Sequence, residues 1–251
     1  MKKSTTNIDS ENIIEIKDLV KSFGEKKVLN GINLNLKKGE NLVILGRSGS
    51  GKSITIKCVV GLINADKGKI DVFGTDITKL NNLEINKIRT RIGFMFQSGA
   101  LYDSMSVRHN LTFTLKHHTR DLDQATIETK IKESLESVGL IEAIDKMPAE
   151  LSGGMVKRIG LARTLIINPE IILYDEPTSG LDTITSREIS DLIISVQTKY
   201  KTSSIIITHD MACAKTIANR ILILKDGLIN AEGTYEELEN SKDEWVKSFF
   251  I

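Results

Sequence analysis

Residues 46–53 read Gly-Arg-Ser-Gly-Ser-Gly-Lys-Ser, and that spacing suits one kind of chemistry, the cradling of phosphates. Gly46, Gly49 and Gly51 let the backbone curl so that its N–H groups point at phosphate oxygens, and the helix behind them adds partial positive charge. Lys52 would bridge the β- and γ-phosphates of a nucleotide, and the Ser53 hydroxyl would bind Mg²⁺. The whole run, with Arg47, Ser48, Ser50 and the following Ile54, is read as nucleotide-binding. Such a loop needs an acidic strand end, and EIILYDEPTSGLD (170–182) supplies one in Asp175 and Glu176. Asp175 would hold Mg²⁺ directly or through water, and Glu176 would accept a proton from the water attacking the γ-phosphate. Alone, two adjacent carboxylates after a strand would read as a solvated turn; the phosphate loop is what gives them work.

A second stretch, LSGGMVKRIGLARTL (151–165), poses a different question. Ser152 can cap a helix beginning near Met155, while Gly153 and Gly154 leave the N–H groups of the turn bare. Such a terminus is also an anion site. The chain already has one phosphate cradle, so a second is surplus unless it serves something else; a plain capped helix is the competing reading.

Short β-branched runs must position these loops: 13–16, 41–45, 91–96, 170–174, 203–208 and 220–224. Several are apolar without alternation, as in strands covered on both faces. Helical patterns lie between them, over 52–62, 126–138 and 185–200. The alternation predicts an α/β fold with a mostly parallel core sheet, which with the 46–53 loop is read as a P-loop NTPase. KKVLNGINLNLKKGE (26–40) differs, alternating apolar and polar residues with glycine breaks, and predicts an N-terminal antiparallel β subdomain. The middle, approximately 99–160, lacks strand-like runs and reads as a helical insertion.

At 251 residues, 40% hydrophobic and 27% charged, the chain has room for one large α/β domain, read here as spanning 1–251. A net charge of +1 supplies no general basic field, so nucleic acid is not expected as a partner. Cys58 and Cys213 lack metal-type spacing and fall in helical patterns, which predicts small buried thiols. The start, MKKSTTNIDSEN, has no apolar stretch behind its lysines and is not read as a secretory signal. No segment approaches the ~20 apolar residues that span a bilayer.

With these motifs in order, the chain resembles the ATP-binding cassette (ABC) ATPase family over nearly its whole length. The Walker A motif is Gly46–Ser53, the Q-loop glutamine matches Gln97, the signature is Leu151–Met155 and Walker B is Ile171–Glu176. The D-loop is 179–182, ending in Asp182, and the switch histidine matches His209. The resemblance implies that Phe23 stacks on adenine, that Gln97 joins the Mg²⁺ shell, and that His209 contacts the γ-phosphate. It also implies that Ser152, Gly153 and Gly154 close on ATP held by another subunit. With one signature and one Walker A per chain, the expectation is a head-to-tail homodimer enclosing two MgATP.

A narrower resemblance follows. Most family members carry Gln where this chain has Met155; LSGGM with Lys157-Arg158, and FQSGALYDSMSVRHNL (96–111), are similar to ATPases of Mla-type phospholipid-trafficking systems. The two stretches lie far apart in the chain and count as independent markers. Two departures stand out: Thr183 where a proline often follows the D-loop Asp, and His109-Asn110 in place of an acidic residue. The resemblance implies ATP hydrolysis coupled to lipid movement, separate transmembrane permease subunits, an MCE-domain periplasmic partner, and a peripheral place on the cytoplasmic face of the cell membrane. A lipoprotein, amino-acid or metal transporter and a soluble assembly ATPase remain open. In the tail, 234–251, Trp245, Val246, Phe249 and Phe250 share a helical stripe that covers either the chain's own surface or a neighbouring subunit.

Overall fold

The computed structural model describes residues 11–119 and 121–250; the N-terminal stretch read above as lacking a signal lies largely outside the described residues. In chain order the elements are β1 (Asn12–Phe23), β2 (Lys26–Lys37), β3 (Asn41–Gly46), α1 (Lys52–Val59), β4 (Lys67–Val72), β5 (Thr75–Asp76), α2 (Asn82–Arg89) and β6 (Ile92–Met95). There follow α3 (Val107–His118), α4 (Gln124–Glu136), α5 (Gly153–Leu165), β7 (Ile171–Asp175), α6 (Thr183–Tyr200), β8 (Ser203–Ile207) and α7 (Met211–Ile217). The chain closes with β9 (Arg220–Lys225), β10 (Leu228–Gly233), α8 (Tyr235–Glu239) and α9 (Glu244–Lys247).

Two sheets result. One has the order β2-β1-β4-β5 and is antiparallel throughout. The other, β10-β9-β3-β8-β7-β6, is parallel except at its β10 edge. Every residue of β3, β7 and β8 is buried, as unalternating apolar strands require. One face of this sheet packs through Leu42, Ile44, Leu173 and Ile205 on the antiparallel sheet and α1. The other packs through Val43, Ile172 and Ile206 on a core that runs into α3, α4, α5 and α6.

Helix limits depart from the periodicity for local reasons. The first ends at Val59 rather than 62 because Gly61 turns left-handed at φ +63°. α4 and α6 begin earlier than expected because Asp123 and Asp182 cap them through Oδ1. Cys58 and Cys213 are free and buried, and burial pushes both thiols up to about 11.

The tail residues pack on one another, on α8 and on β9, but not as one helical stripe, because α9 ends at Lys247 and Phe249 and Phe250 lie beyond it. Val246 is buried, the Trp245 and Phe249 rings meet edge-on at 4.9 Å, and Phe250 meets Tyr235 of α8 at 5.0 Å. Lys225 of β9 stands 4.5 Å over the Trp245 ring.

Candidate functional site

The loop between β3 and α1 is set by close approach. A Cβ on Gly46 would stand 2.6 Å from Ser50 Oγ and 2.7 Å from the Leu224 carbonyl, so only glycine fits beside β9. Gly51 holds φ +105° at the N-cap of α1 and offers no side-chain cap, leaving the first N–H groups of that helix free. The Ser50 hydroxyl is buried and has no hydrogen-bond partner among the described residues; of the loop residues read as nucleotide-binding, Ser50 does not line the cavity described next.

Around this loop lies a cavity of about 810 Å³. Arg47, Ser48, Gly49, Lys52, Ser53 and Ile54 line its floor, Phe23 one edge, and Gln97, Glu176 and His209 the far side. Phe23 is 49% exposed, with Lys21 Nζ 5.4 Å from its ring centroid. Lys26, Val28 and Phe249 also line the cavity; none was read from the sequence as part of the site, and the nearest signal was the proximity of Lys26 to Phe23.

The charged groups converge. Ser53 donates from Oγ to Asp175 Oδ1 at 2.8 Å, joining the two positions expected at a metal. Lys52 Nζ donates to the carbonyls of Gly46 (2.7 Å) and Arg47 (3.2 Å). Burial holds its amine below the ordinary lysine value, against the pull of Glu176 and Asp175. His209 Nδ1 lies 2.7 Å from Glu176 Oε2, and the His209 N–H also donates to that oxygen at 3.3 Å. Hard oxygen donors at Ser53 and Asp175, with no cluster of three or more His, Cys, Asp or Glu among the described residues, fit a Mg²⁺ that takes its other ligands from phosphates and water.

Ser152, Gly153, Gly154 and Asp182 do not line this cavity. Ser152 Oγ accepts the Met155 N–H at 3.3 Å and caps α5, as the sequence suggested, with Ser152 and Gly153 exposed. Gly154 has another reason to be glycine: its Cβ would meet Thr185 Cγ2 of α6 at 2.6 Å. Asp182 already spends its carboxylate on capping α6, accepting from Ile184 and Thr185 N–H and from Thr185 Oγ1. Met155 is half-buried against the helical core.

The two marker stretches are not independent, because they touch. A Cβ on Gly160 would stand 3.0 Å from Gly99, and one on Gly99 2.9 Å from Val156. Arg163 donates to the Ala100 carbonyl, and Lys157 to that of Gln97. Asn110, a departure in the sequence, is fully buried and clamps this loop, accepting from Tyr102 N and donating to the Tyr102, Met105 and Ser106 carbonyls.

The family profile described as ABC transporter matches residues 29–179. The chain belongs to that family, as its ATPase. It is 38% identical, over 96% of its length and 90% of the relative's, to "Intermembrane phospholipid transport system ATP-binding protein MlaF" of Haemophilus influenzae. It is 39% identical, over 94% of its length and 68% of the relative's, to "Probable ribonucleotide transport ATP-binding protein mkl" of Mycobacterium leprae. Among solved structures, the ATP-binding cassette MJ0796, a dimeric post-hydrolysis state bound to ADP and Pi, superposes with a TM-score of 0.81 at 32% identity. That match covers 88% of this chain and 98% of the other. ATP hydrolysis coupled to transport goes with that family.

Proposed function

We propose that this ATPase drives a lipid transporter, moving phospholipid between membranes with separate permease subunits and an MCE-domain partner. The observation that carries the cargo is the 38% identity to MlaF across 90% of that protein, fuller than the coverage of the mkl relative. Among the described residues no helix is long and apolar enough to cross a membrane, so the chain would work peripherally, on the cytoplasmic face of the cell membrane. Two copies pair head-to-tail. Each lends Ser152, Gly153 and Gly154 to the ATP held by its partner's Lys52 and Ser53, an arrangement favoured by the exposed cap and by the dimeric state of MJ0796.

Within each site the chain's own groups divide the work. Phe23 stacks on the base, while the N–H groups of the loop and Lys52 hold the phosphates. Ser53, Asp175 and Gln97 would hold Mg²⁺, which would supply charge neutralisation to the phosphates. Glu176 takes the proton from the attacking water, and His209, hydrogen-bonded to Glu176 Oε2, fixes the carboxylate and reaches the γ-phosphate. The helical insertion, 99–160, passes the motion on. An apolar groove of about 300 Å³, lined by Phe94, Phe96, Tyr102, Phe113 and His117, opens on its flank and suits a permease segment. Tyr102 and Phe113 are 47% and 45% exposed there.

Purification from native membranes tests the cargo. A complex with a multi-span permease and an MCE protein, carrying phospholipid, is expected; a soluble scaffold complex, or ribonucleotide as the bound cargo, would overturn the reading. For the chemistry, Glu176→Gln is expected to accumulate ATP-bound dimers while turnover falls about 10²-fold or more. Wild-type turnover in that variant would remove Glu176 from the role of base.

A further inference from the structure

Lys157 lies in a basic stretch of the signature, next to Arg158, where a solvated side chain would be unremarkable. It is instead only 5% exposed. Its Nζ donates to the main-chain carbonyl of Gln97, to that of Glu176 at 3.2 Å, and to Ser179 Oγ at 3.2 Å. An ammonium has three donors, and here each finds an acceptor in a different segment: the loop after β6, the end of β7, and the D-loop. Burial depresses the amine below the ordinary lysine value while Glu176 and Asp175 pull it back up.

The acceptor of most consequence is Glu176. Its backbone is left-handed, at φ +53°, a conformation that a non-glycine residue keeps only where the surroundings fix it. Its N–H donates to the Ile207 carbonyl at 2.9 Å. Its carbonyl accepts from Ser179 Oγ at 2.9 Å, from Ser179 N at 3.2 Å and from Lys157. The Ser179 bonds are local; Lys157 alone among these donors arrives from the helical insertion.

We propose that Lys157 is a positioning residue for Glu176, holding the strained backbone that aims this carboxylate at the attacking water. The inference rests on the reading of Glu176 as the base. Little more than one helical turn separates Lys157 from Ser152. α5 therefore presents a cap to the partner's ATP at its outer end and holds the base of its own subunit's site further along. A shift of α5 on dimer closure is thereby felt at both sites of the pair.

The test is a double-mutant cycle of Lys157→Met with Glu176→Gln, read as steady-state ATPase rate, ATP affinity and thermal stability. Lys157→Met is expected to lower kcat by about 10- to 100-fold, the loss typical of a misplaced reacting group, with ATP affinity changed by less than about twofold. In the Glu176→Gln background the same substitution is expected to change the residual rate by less than about twofold, because residues acting through one another are non-additive. Equal losses in both backgrounds would overturn the role, as would ATP affinity and stability falling in step with kcat. Should Lys157→Met not fold, Lys157→Gln, which keeps an amide donor, runs through the same cycle. If Glu176→Gln alone hydrolyses at the wild-type rate, it is the base reading that fails, a result distinct from additivity.

Discussion

Two helix N-termini in this chain carry glycines and a hydroxyl residue, and they are built differently. At α1 the glycines are conformational: Gly49 and Gly51 hold φ +79° and +105°, and Gly46 is pressed against Ser50 and β9. A buried lysine and a carboxylate stand at the loop, Lys52 on its carbonyls and Asp175 on Ser53. At α5 neither Gly153 nor Gly154 has a positive φ, the capping hydroxyl is exposed, and no cation or carboxylate is hydrogen-bonded to it among the described residues. The same helix-terminus electrostatics serve a finished cradle in one place and an open half in the other. On the function proposed above, the second terminus becomes a site only when a partner's ATP is laid against it.

The largest effects test that division. Lys52→Ala is expected to weaken ATP binding by the isolated chain about 10²-fold or more, since a buried phosphate contact from a charged donor is lost. Ser152→Arg is expected to leave that binding intact yet abolish turnover, by placing a bulky side chain where a partner's ATP must sit. Each variant alone would be inactive. Mixed, they should regain activity, because one of the two sites in a mixed dimer combines an intact Lys52 with an intact Ser152. A chain carrying both substitutions, mixed with wild type, forms only defective sites in its mixed dimers and supplies the control. No recovery in the first mixture would mean that each chain completes its own site, and the comparison would collapse.

Much of the complete site is legible in the sequence because its signals are local. A glycine that must curl the chain, a lysine and a serine beside it, and an apolar strand ending in Asp175 are each readable within a few residues. Strands β3, β7 and β8 are equally plain, each built on an unbroken apolar run and buried at every residue. What escapes are consequences of contacts between distant segments. β4 opens with three exposed residues and joins β1 only through long-range pairing, and the two-residue β5 pairs with β4 alone. Gly154 looks like a bare turn until Thr185 is laid against it. Lys157 carries no sign of its role in the sequence, because its three acceptors come from segments that only the fold brings together. Gly99–Ser104 and the signature look independent for the same reason.

The glycines give a graded series of smaller effects. On Gly51 a Cβ would meet Leu29 Cδ2 at 2.5 Å and the Val28 carbonyl at 3.1 Å, at φ +105°. Gly51→Ala is therefore expected to destabilise the fold by about 1–3 kcal/mol, read as a lowered midpoint in urea. Gly154→Ala should cost about 1 kcal/mol, since Thr185 Cγ2 at 2.6 Å must shift. Gly153→Ala, with Leu181 no nearer than 3.5 Å and an ordinary φ, should be neutral or stabilise by about 0.4–1 kcal/mol through the unfolded chain. If Gly153→Ala destabilised as much as Gly51→Ala, the two termini would be held by the same kind of strain after all.

The subtlest contrast is electrostatic. Lys52 is buried with its amine held below the ordinary lysine value, so in the folded chain the charged form is disfavoured relative to the unfolded one. Between the lowered folded value and the model-peptide value of 10.5, the unfolded state binds more protons, and stability rises with pH through that window. Lys52→Met removes the titrating group, so it should gain stability relative to wild type near neutrality, with the advantage shrinking as the pH approaches 10.5. Chemical denaturation of the nucleotide-free chain and of Lys52→Met across that range measures the gap. Ser152→Ala supplies the counterpart at the other terminus: it loses a cap, by about 1 kcal/mol, and the loss should not vary with pH, because no ionisable group is involved. A gap at Lys52 that stayed constant with pH would show that the phosphate loop stores no electrostatic cost for ATP to relieve, and the two helix termini would then differ in shape alone.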